Sequence, residues 1–147
     1  MDEIQLRDMV AEDIPAIVAI ERLSFSTPWS QAAFLSEMGK PFSFKRVASS
    51  EDTIVGYICV NHILDEAHIM NLAVHPGFRR LGIATILLKE ALKKLKRKGA
   101  DFFYLEVRFS NLAARKFYER SGFRVVGRRK NYYQSPEEDA LLMTLGM

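Results

Sequence analysis

Hydrophobic positions along the chain switch between two spacings, and the switching predicts a mixed order of strands and helices. Ile4 and Leu6 alternate with polar neighbours, as in a strand. From Ala11 to Leu23 the apolar residues Ile14, Ile17, Val18 and Leu23 follow a helical spacing. The break Ser26-Thr27-Pro28-Trp29-Ser30 follows, and Ser30 suits the cap of a short helix ending near Met38, before Gly39-Lys40-Pro41. Phe42 to Ala48 and Thr53 to Leu64 read as strands joined by the polar turn Ser49-Ser50-Glu51-Asp52. Asp65-Glu66 predicts a second turn, and Ala67 to Val74 a strand stopped by His75-Pro76-Gly77. Leu81 to Lys98 is the clearest helix, because Ala84, Leu87, Leu88, Ala91, Leu92 and Leu95 form one stripe, and Gly99 ends it. Phe102 to Phe109 reads as a buried strand and Asn111 to Ser121 as a helix. Gly122 and Phe123 fit a left-handed cap with its apolar contact. Phe123 to Tyr133 and Ala140 to Leu145 close the chain as an antiparallel pair. The order β-α-α-β-β-β-α-β-α-β-β implies an α/β sandwich around a mixed sheet. With no repeat, low-complexity tract or linker, residues 1–147 read as one domain.

Composition changes this picture little. Hydrophobic residues make up 48% and charged residues 27% of the 147 positions, as in ordinary globular domains. Cys59 is the single cysteine and stands inside an apolar run, so it reads as a core residue of a protein from a reducing compartment. No stretch approaches the roughly 20 apolar residues of a membrane helix. Met1-Asp2-Glu3 does not open a signal peptide, which leads to the expectation of a cytoplasmic protein. The net charge is +3, with basic residues gathered at Lys93–Lys98 and Arg124–Lys130. The first cluster suits a solvated helix end, where cations complement the helix dipole. A nucleic-acid surface is the other reading, although no aromatic RNA-binding run accompanies it. His62, His68 and His75 are scattered, without partners at ligand spacing, so no metal is expected.

Two segments carry candidate chemistry. Val74 to Ala84 runs from a strand into the long helix, where unpaired amides and a partial positive charge suit an anion. Gly82 allows close backbone approach, and Arg79 and Arg80 add charge. The segment is neither a Walker loop nor a dinucleotide fingerprint. By itself R-x-x-G-x-A also fits an ordinary strand-to-helix turn. In the second segment, Leu105 to Phe123, Glu106 lies on a strand, while Asn111 and Tyr118 stand two helical turns apart on one face. By residue type alone, Glu106 is equally a surface carboxylate or a partner of Arg108, and Tyr118 a half-buried aromatic.

Together R-x-x-G-x-A at Arg79–Ala84, S-N-x-x-A at Ser110–Ala114 and F-Y-x-x-x-G-F at Phe117–Phe123 resemble the GNAT superfamily of acyl-CoA N-acyltransferases, in that family's order and across nearly the whole chain. Pro28-Trp29-Ser30, Leu64-Asp65-Glu66-Ala67, Leu105-Glu106-Val107-Arg108 and Arg129-Lys130-Asn131-Tyr132-Tyr133 narrow the resemblance to the RimI type, which acetylates the N-terminal alanine of small-subunit ribosomal protein eighteen. Leu81 and Ala84 depart from the Gln and Gly of many members; backbone amides do the binding there, so phosphate binding is expected to survive. The resemblance implies a mixed, mostly antiparallel sheet flanked by helices on both faces. It implies acetyl-CoA as co-substrate, Glu106 as catalytic base and Tyr118 as catalytic acid. It also implies coenzyme A contacts at Leu72, Ala73, Val74, Arg79, Arg80, Leu81, Gly82, Ile83, Ala84, Thr85 and Asn111. The acceptor would be a protein N-terminus, with neither nucleic acid nor membrane as partner.

The chemistry expected is direct transfer. Glu106, its pKa raised by partial burial, takes a proton from the amine. A backbone amide near Val74, where the strand bulges and splays, stabilises the thioester oxygen. Tyr118 protonates the departing thiolate. Trp29, Tyr132 and Tyr133 are candidates to wall the acceptor slot, and Glu66 with Asp65 to attract a cationic N-terminus; loop packing and an ordinary turn explain the same residues. Two other functions fit the sequence: acetylation of lysine side chains or small amines, and a non-catalytic RNA- or ribosome-binding module.

Overall fold

The computed structural model describes residues 3–79 and 81–146. Its strands are β1 (Ile4–Asp8), β2 (Ser43–Ser50), β3 (Thr53–Ile63), β4 (Glu66–Val74), β5 (Phe102–Arg108), β6 (Arg124–Tyr133) and β7 (Glu138–Gly146). Its helices are α1 (Ile14–Ser24), α2 (Gln31–Met38), α3 (Ile83–Arg97) and α4 (Leu112–Arg120). The strands form one sheet in the order β1-β2-β3-β4-β5-β7-β6. All neighbours are antiparallel except β4 and β5, which run parallel.

Both faces of the sheet are covered, which explains why β3 reads as an almost continuous apolar run. On one face Val55, Ile58 and Val60 join Ile83, Leu87, Leu88, Ala91 and Leu95 of α3 and Tyr118 of α4. On the other, Tyr57 and Cys59 meet Ile14, Ile17, Val18 and Ile20 of α1 and Phe34 of α2. Burial holds the Cys59 thiol up at about 12, so it is an inert core group.

Local chemistry sets the element ends. Ser30 caps α2, its hydroxyl accepting from the Ala33 N–H at 3.1 Å. Helices α3 and α4 both finish in Schellman motifs. Ala100 N–H bonds Leu95 C=O and Gly99 N–H bonds Lys96 C=O, each at 3.0 Å, and Phe123 and Gly122 repeat the pattern on Tyr118 and Glu119. Helix α3 begins at Ile83, two residues later than the start expected at Leu81, because Gly82 is left-handed (φ +78°) and Leu81 lies outside the core. The two hairpin turns also differ from expectation. Ser49 and Ser50 complete β2, and Glu51-Asp52 alone form the turn with φ of +49° and +66°, as a two-residue hairpin requires. The next turn falls on Leu64-Asp65, and Glu66 already belongs to β4. The Asp65 carbonyl accepts the N–H groups of Asp101 and Phe102 at 2.7 and 3.0 Å, which docks the turn on β5.

Candidate active site

The sheet is open at one place. β4 and β5 pair only from Glu66–Phe102 to His68–Tyr104, and beyond those residues they diverge. At the parting β4 carries a bulge: Ile69 opposes Val60 and Asn71 opposes Cys59, which leaves Met70 as the extra residue. The bulge keeps Asn71 on the α1 face, where its amide bonds Glu21. Past the bulge the His75 N–H donates to Val55 C=O at 2.7 Å. Hydrogen-bonded pairs alternate along an antiparallel ladder, so Ala73 and Asn71 also bond β3, while the amides of Leu72 and Val74 point away from it, into the gap. The Val74 carbonyl, on that same side, accepts from Arg79 Nε at 3.3 Å.

Glu106 forms the opposite lip. On β5, Phe103, Leu105 and Val107 enter the α3–α4 core, which turns Tyr104, Glu106 and Arg108 to the α1–α2 face. The Glu106 side chain is 9% exposed, and its Oε2 meets His68 Nε2 at 3.1 Å. The His68 ring stacks on Tyr104 with centroids 4.4 Å apart, which fixes its orientation. Arg108 is not the partner of Glu106. Its guanidinium instead bonds Glu138 at 3.2 Å and the carbonyls of Gln134 and Pro136 at 2.8 and 2.9 Å. The expected rise in the Glu106 pKa is also reversed. The hydrogen bond from His68 outweighs burial, with help from Arg129, and holds the carboxyl below its ordinary value.

Tyr118 approaches from the other face. It is 8% exposed rather than half-buried, with its ring between Phe117 and Phe123 at 5.1 and 5.5 Å. The Schellman motif that ends α4 places Phe123 under it. Among the described residues its hydroxyl has no hydrogen-bond partner, and burial together with the nearby Tyr133 raises its pKa. Tyr133 is itself raised by burial and by Glu106. The carboxylate and the two phenols therefore influence one another in sequence, Glu106 on Tyr133 and Tyr133 on Tyr118.

At the head of α3 the amides of Ile83, Ala84 and Thr85 have no acceptor within the helix, and no side chain among the described residues caps them. Gly82 supplies the left-handed turn that presents them. Leu81 and Arg79 are exposed beside them; Arg80 lies outside the described residues. Asn111 caps α4, its Oδ1 accepting from the Ala114 N–H at 3.1 Å.

The acceptor-side candidates are partly gathered. Tyr132 and Tyr133 pack edge to face at 5.1 Å, and Arg108 lies over the Tyr133 ring at 4.5 Å. Arg108 also reaches Thr27 Oγ1 at 3.5 Å, which joins the loop before Trp29 to the β6–β7 hairpin. Trp29 itself packs on Phe34 at 5.3 Å. Glu66 is exposed at the start of β4 and acts with Glu106 on the Tyr104 between them.

A profile of the acetyltransferase (GNAT) family matches residues 14–123. The chain belongs to that family. It is 35% identical over 135 residues to the ribosomal protein bS18-alanine N-acetyltransferase of Salmonella typhimurium, covering 90% of each. It is likewise 35% identical over 136 residues to that of Escherichia coli K12, again covering 90% of each. The crystal structure of the Escherichia coli ribosomal-protein-S18-alanine N-acetyltransferase superposes with a TM-score of 0.90 at 31% identity, over 98% of this chain and 94% of the other. That of Ard1 from Thermoplasma volcanium gives 0.91 at 26% identity, over 98% and 97%. The mixed, mostly antiparallel sheet with helices on both faces is therefore the GNAT fold.

The sequence did not point to three groups in this GNAT acetyltransferase. His68 entered only as a scattered histidine, and Asn71 and Glu21 fell within a predicted strand and helix without being singled out. A signal existed: Glu66, His68 and Asn71 are the polar positions of an otherwise apolar strand.

Proposed function

We propose that this acetyltransferase moves acetyl from acetyl-CoA to the N-terminal α-amine of a protein, with the N-terminal alanine of ribosomal protein bS18 as acceptor. The observation that carries the reading is the parting of β4 from β5, with free amides on one lip and a buried carboxylate on the other. The named activity of the relatives supplies the acceptor.

The residues fit the co-substrate. A diphosphate suits the uncapped amides of Ile83, Ala84 and Thr85, where the helix dipole favours negative charge and Gly82 leaves the approach clear. Arg79 adds charge at that turn, with Leu81 beside it, and Asn111 flanks the groove at the head of α4; by the family resemblance Arg80, next in the sequence, is a further contact. The pantetheine arm follows Leu72 to Val74, whose outward amides offer the hydrogen bonds of a missing neighbouring strand. One of them, at Leu72 or Val74, stabilises the thioester oxygen as negative charge develops there.

The two faces divide the proton work. An α-amine has a pKa of roughly 8, so most of it arrives protonated at neutral pH. Glu106, held ionised by His68, accepts that proton directly or through a water. Tyr118 keeps its own proton because burial disfavours the phenolate, and it donates that proton to the departing thiolate. Trp29, Tyr132 and Tyr133 wall the acceptor slot, and Glu66 adds negative charge at its mouth.

The test is mass spectrometry after incubation with acetyl-CoA and a peptide carrying the bS18 N-terminus, beside the same peptide blocked at its α-amine. Acetyl is expected on the first peptide only, at its α-amine. Transfer to lysines of the blocked peptide at an equal rate would overturn the acceptor assignment.

A further inference from the structure

Glu21 is the most deeply buried carboxylate among the described residues, 1% exposed, and it faces no cation. Its oxygens are met instead by hydrogen-bond donors from three other parts of the chain. The Tyr57 hydroxyl of β3 donates to Oε1. Asn71 Nδ2 of β4 reaches both oxygens at 3.1 and 3.2 Å. The Trp29 backbone N–H donates to Oε2 at 2.8 Å. An aliphatic residue would pack α1 on the sheet without the desolvation cost of a buried carboxylate, so packing does not account for Glu21.

What the carboxylate does is join two halves of the site. Asn71 is the last residue of the bulge and precedes Leu72, whose amide faces the gap. Trp29 anchors the loop whose Thr27 touches Arg108, and through Arg108 that loop meets Tyr133. We infer that Glu21 is a positioning residue that sets the register between the acceptor loop and the amide lip holding the thioester. This inference rests on the acceptor reading above.

Glu21→Gln separates positioning from mere stability. Glutamine keeps one accepting oxygen and puts an NH₂ where every neighbour donates. The Trp29 N–H is backbone and cannot reorient, so the oxygen goes there and the NH₂ meets Tyr57 and Asn71. The tyrosine hydroxyl can rotate to accept. Asn71 can turn its amide over, because its buried Oδ1 bonds nothing among the described residues. The fold therefore survives, while the group next to the lip is reversed.

The experiment is steady-state kinetics of Glu21→Gln and Asn71→Ala with the bS18 peptide, alongside thermal melting and calorimetric titration of acetyl-CoA. Asp13→Asn serves as the control, since Asp13 is similarly buried and bonded to Arg7 at 2.7 and 2.8 Å but lies outside the site. Both site variants are expected to lose about ten- to a hundredfold in kcat/KM for the peptide, the worth of one hydrogen bond to a charged group. Acetyl-CoA affinity should stay close to wild type, and Asp13→Asn should melt lower with unchanged peptide kinetics. Wild-type peptide kinetics in both site variants would overturn the inference, as would losses that only track melting temperature and recur in Asp13→Asn. If Glu21→Gln does not fold, Asn71→Ala decides alone. Wild-type activity on the peptide is measured first and bears on the acceptor reading; the variant-to-wild-type ratio bears on Glu21.

Discussion

Gly56 sits where the lip of the gap meets the head of α3, and its replacement by alanine tests whether those two features share one support. Its φ is not positive, so the glycine serves space rather than conformation. A Cβ there would lie 3.1 Å from the Ala73 carbonyl oxygen, 3.3 Å from Val74 Cγ2 and 3.4 Å from Ile83 Cγ2. The first contact is with backbone, which has no rotamer to change. The other two are with residues 8% and 1% exposed, already fixed in the core. Overpacking of this kind costs about 1–3 kcal/mol, or roughly 2–4 °C of melting temperature per kcal/mol for a domain of this size. Relief comes by moving Val74 or Ile83 a few tenths of an ångström, and both belong to the groove proposed to hold the co-substrate. If about 1 kcal/mol of that strain reaches the bound state, the Kd for acetyl-CoA rises roughly fivefold. The assays are urea denaturation and calorimetric titration of Gly56→Ala. Gly127→Ala is the companion, because its Cβ would stay 3.8 Å from Leu142 Cβ and 3.9 Å from Leu142 Cδ2, with room for a methyl group. An unchanged urea midpoint and Kd in Gly56→Ala, matching Gly127→Ala, would refute the reasoning.

Glu106→Gln and Tyr118→Phe should each lower kcat by about 10²–10⁴ with acetyl-CoA affinity near wild type by calorimetry; unaltered turnover in both would remove them from the chemistry. The pH profile of kcat/KM should rise toward the amine pKa of roughly 8, with no inflection near pH 6 from Glu106, whose pKa lies below its ordinary 4.5. Its native pKa is depressed, so the His68–Glu106 bond stabilises the fold fully above pH 4.5 and is lost as pH falls through the lowered value; the urea midpoint should drop there, and less so in Glu106→Gln. Cys59 should resist a thiol-specific reagent at pH 8 until urea unfolds the chain, since burial holds its pKa near 12; rapid labelling of the folded protein would contradict its place in the core.

Much of the fold was legible because its signals are local. The stripe on α3, the Ser30 cap, and the glycines at 99 and 122 each act within a few residues, and the structure keeps them. The hairpin turns were misplaced by one or two residues because serine favours turns as well as tolerating strands, while leucine carries no turn signature, and only the cross-strand register shows that Ser49 and Ser50 pair with β3.

The same division runs through the site. The order of motifs and the residue types Glu106, Tyr118 and Gly82 are written in the chain, and they were enough to reach the family and to nominate the groups proposed to react. What those groups touch was decided only by tertiary structure. Glu106 is 38 residues from His68 and Glu21 is 50 residues from Asn71, separations at which spacing predicts no contact. A carboxylate's ionisation depends on the donor that reaches it, and that donor comes from another strand. The gap itself is a failure of two strands to pair, caused by a bulge whose extra residue, Met70, looks like any other apolar position in β4. Periodicity along one strand cannot register a hydrogen bond that its neighbour does not make.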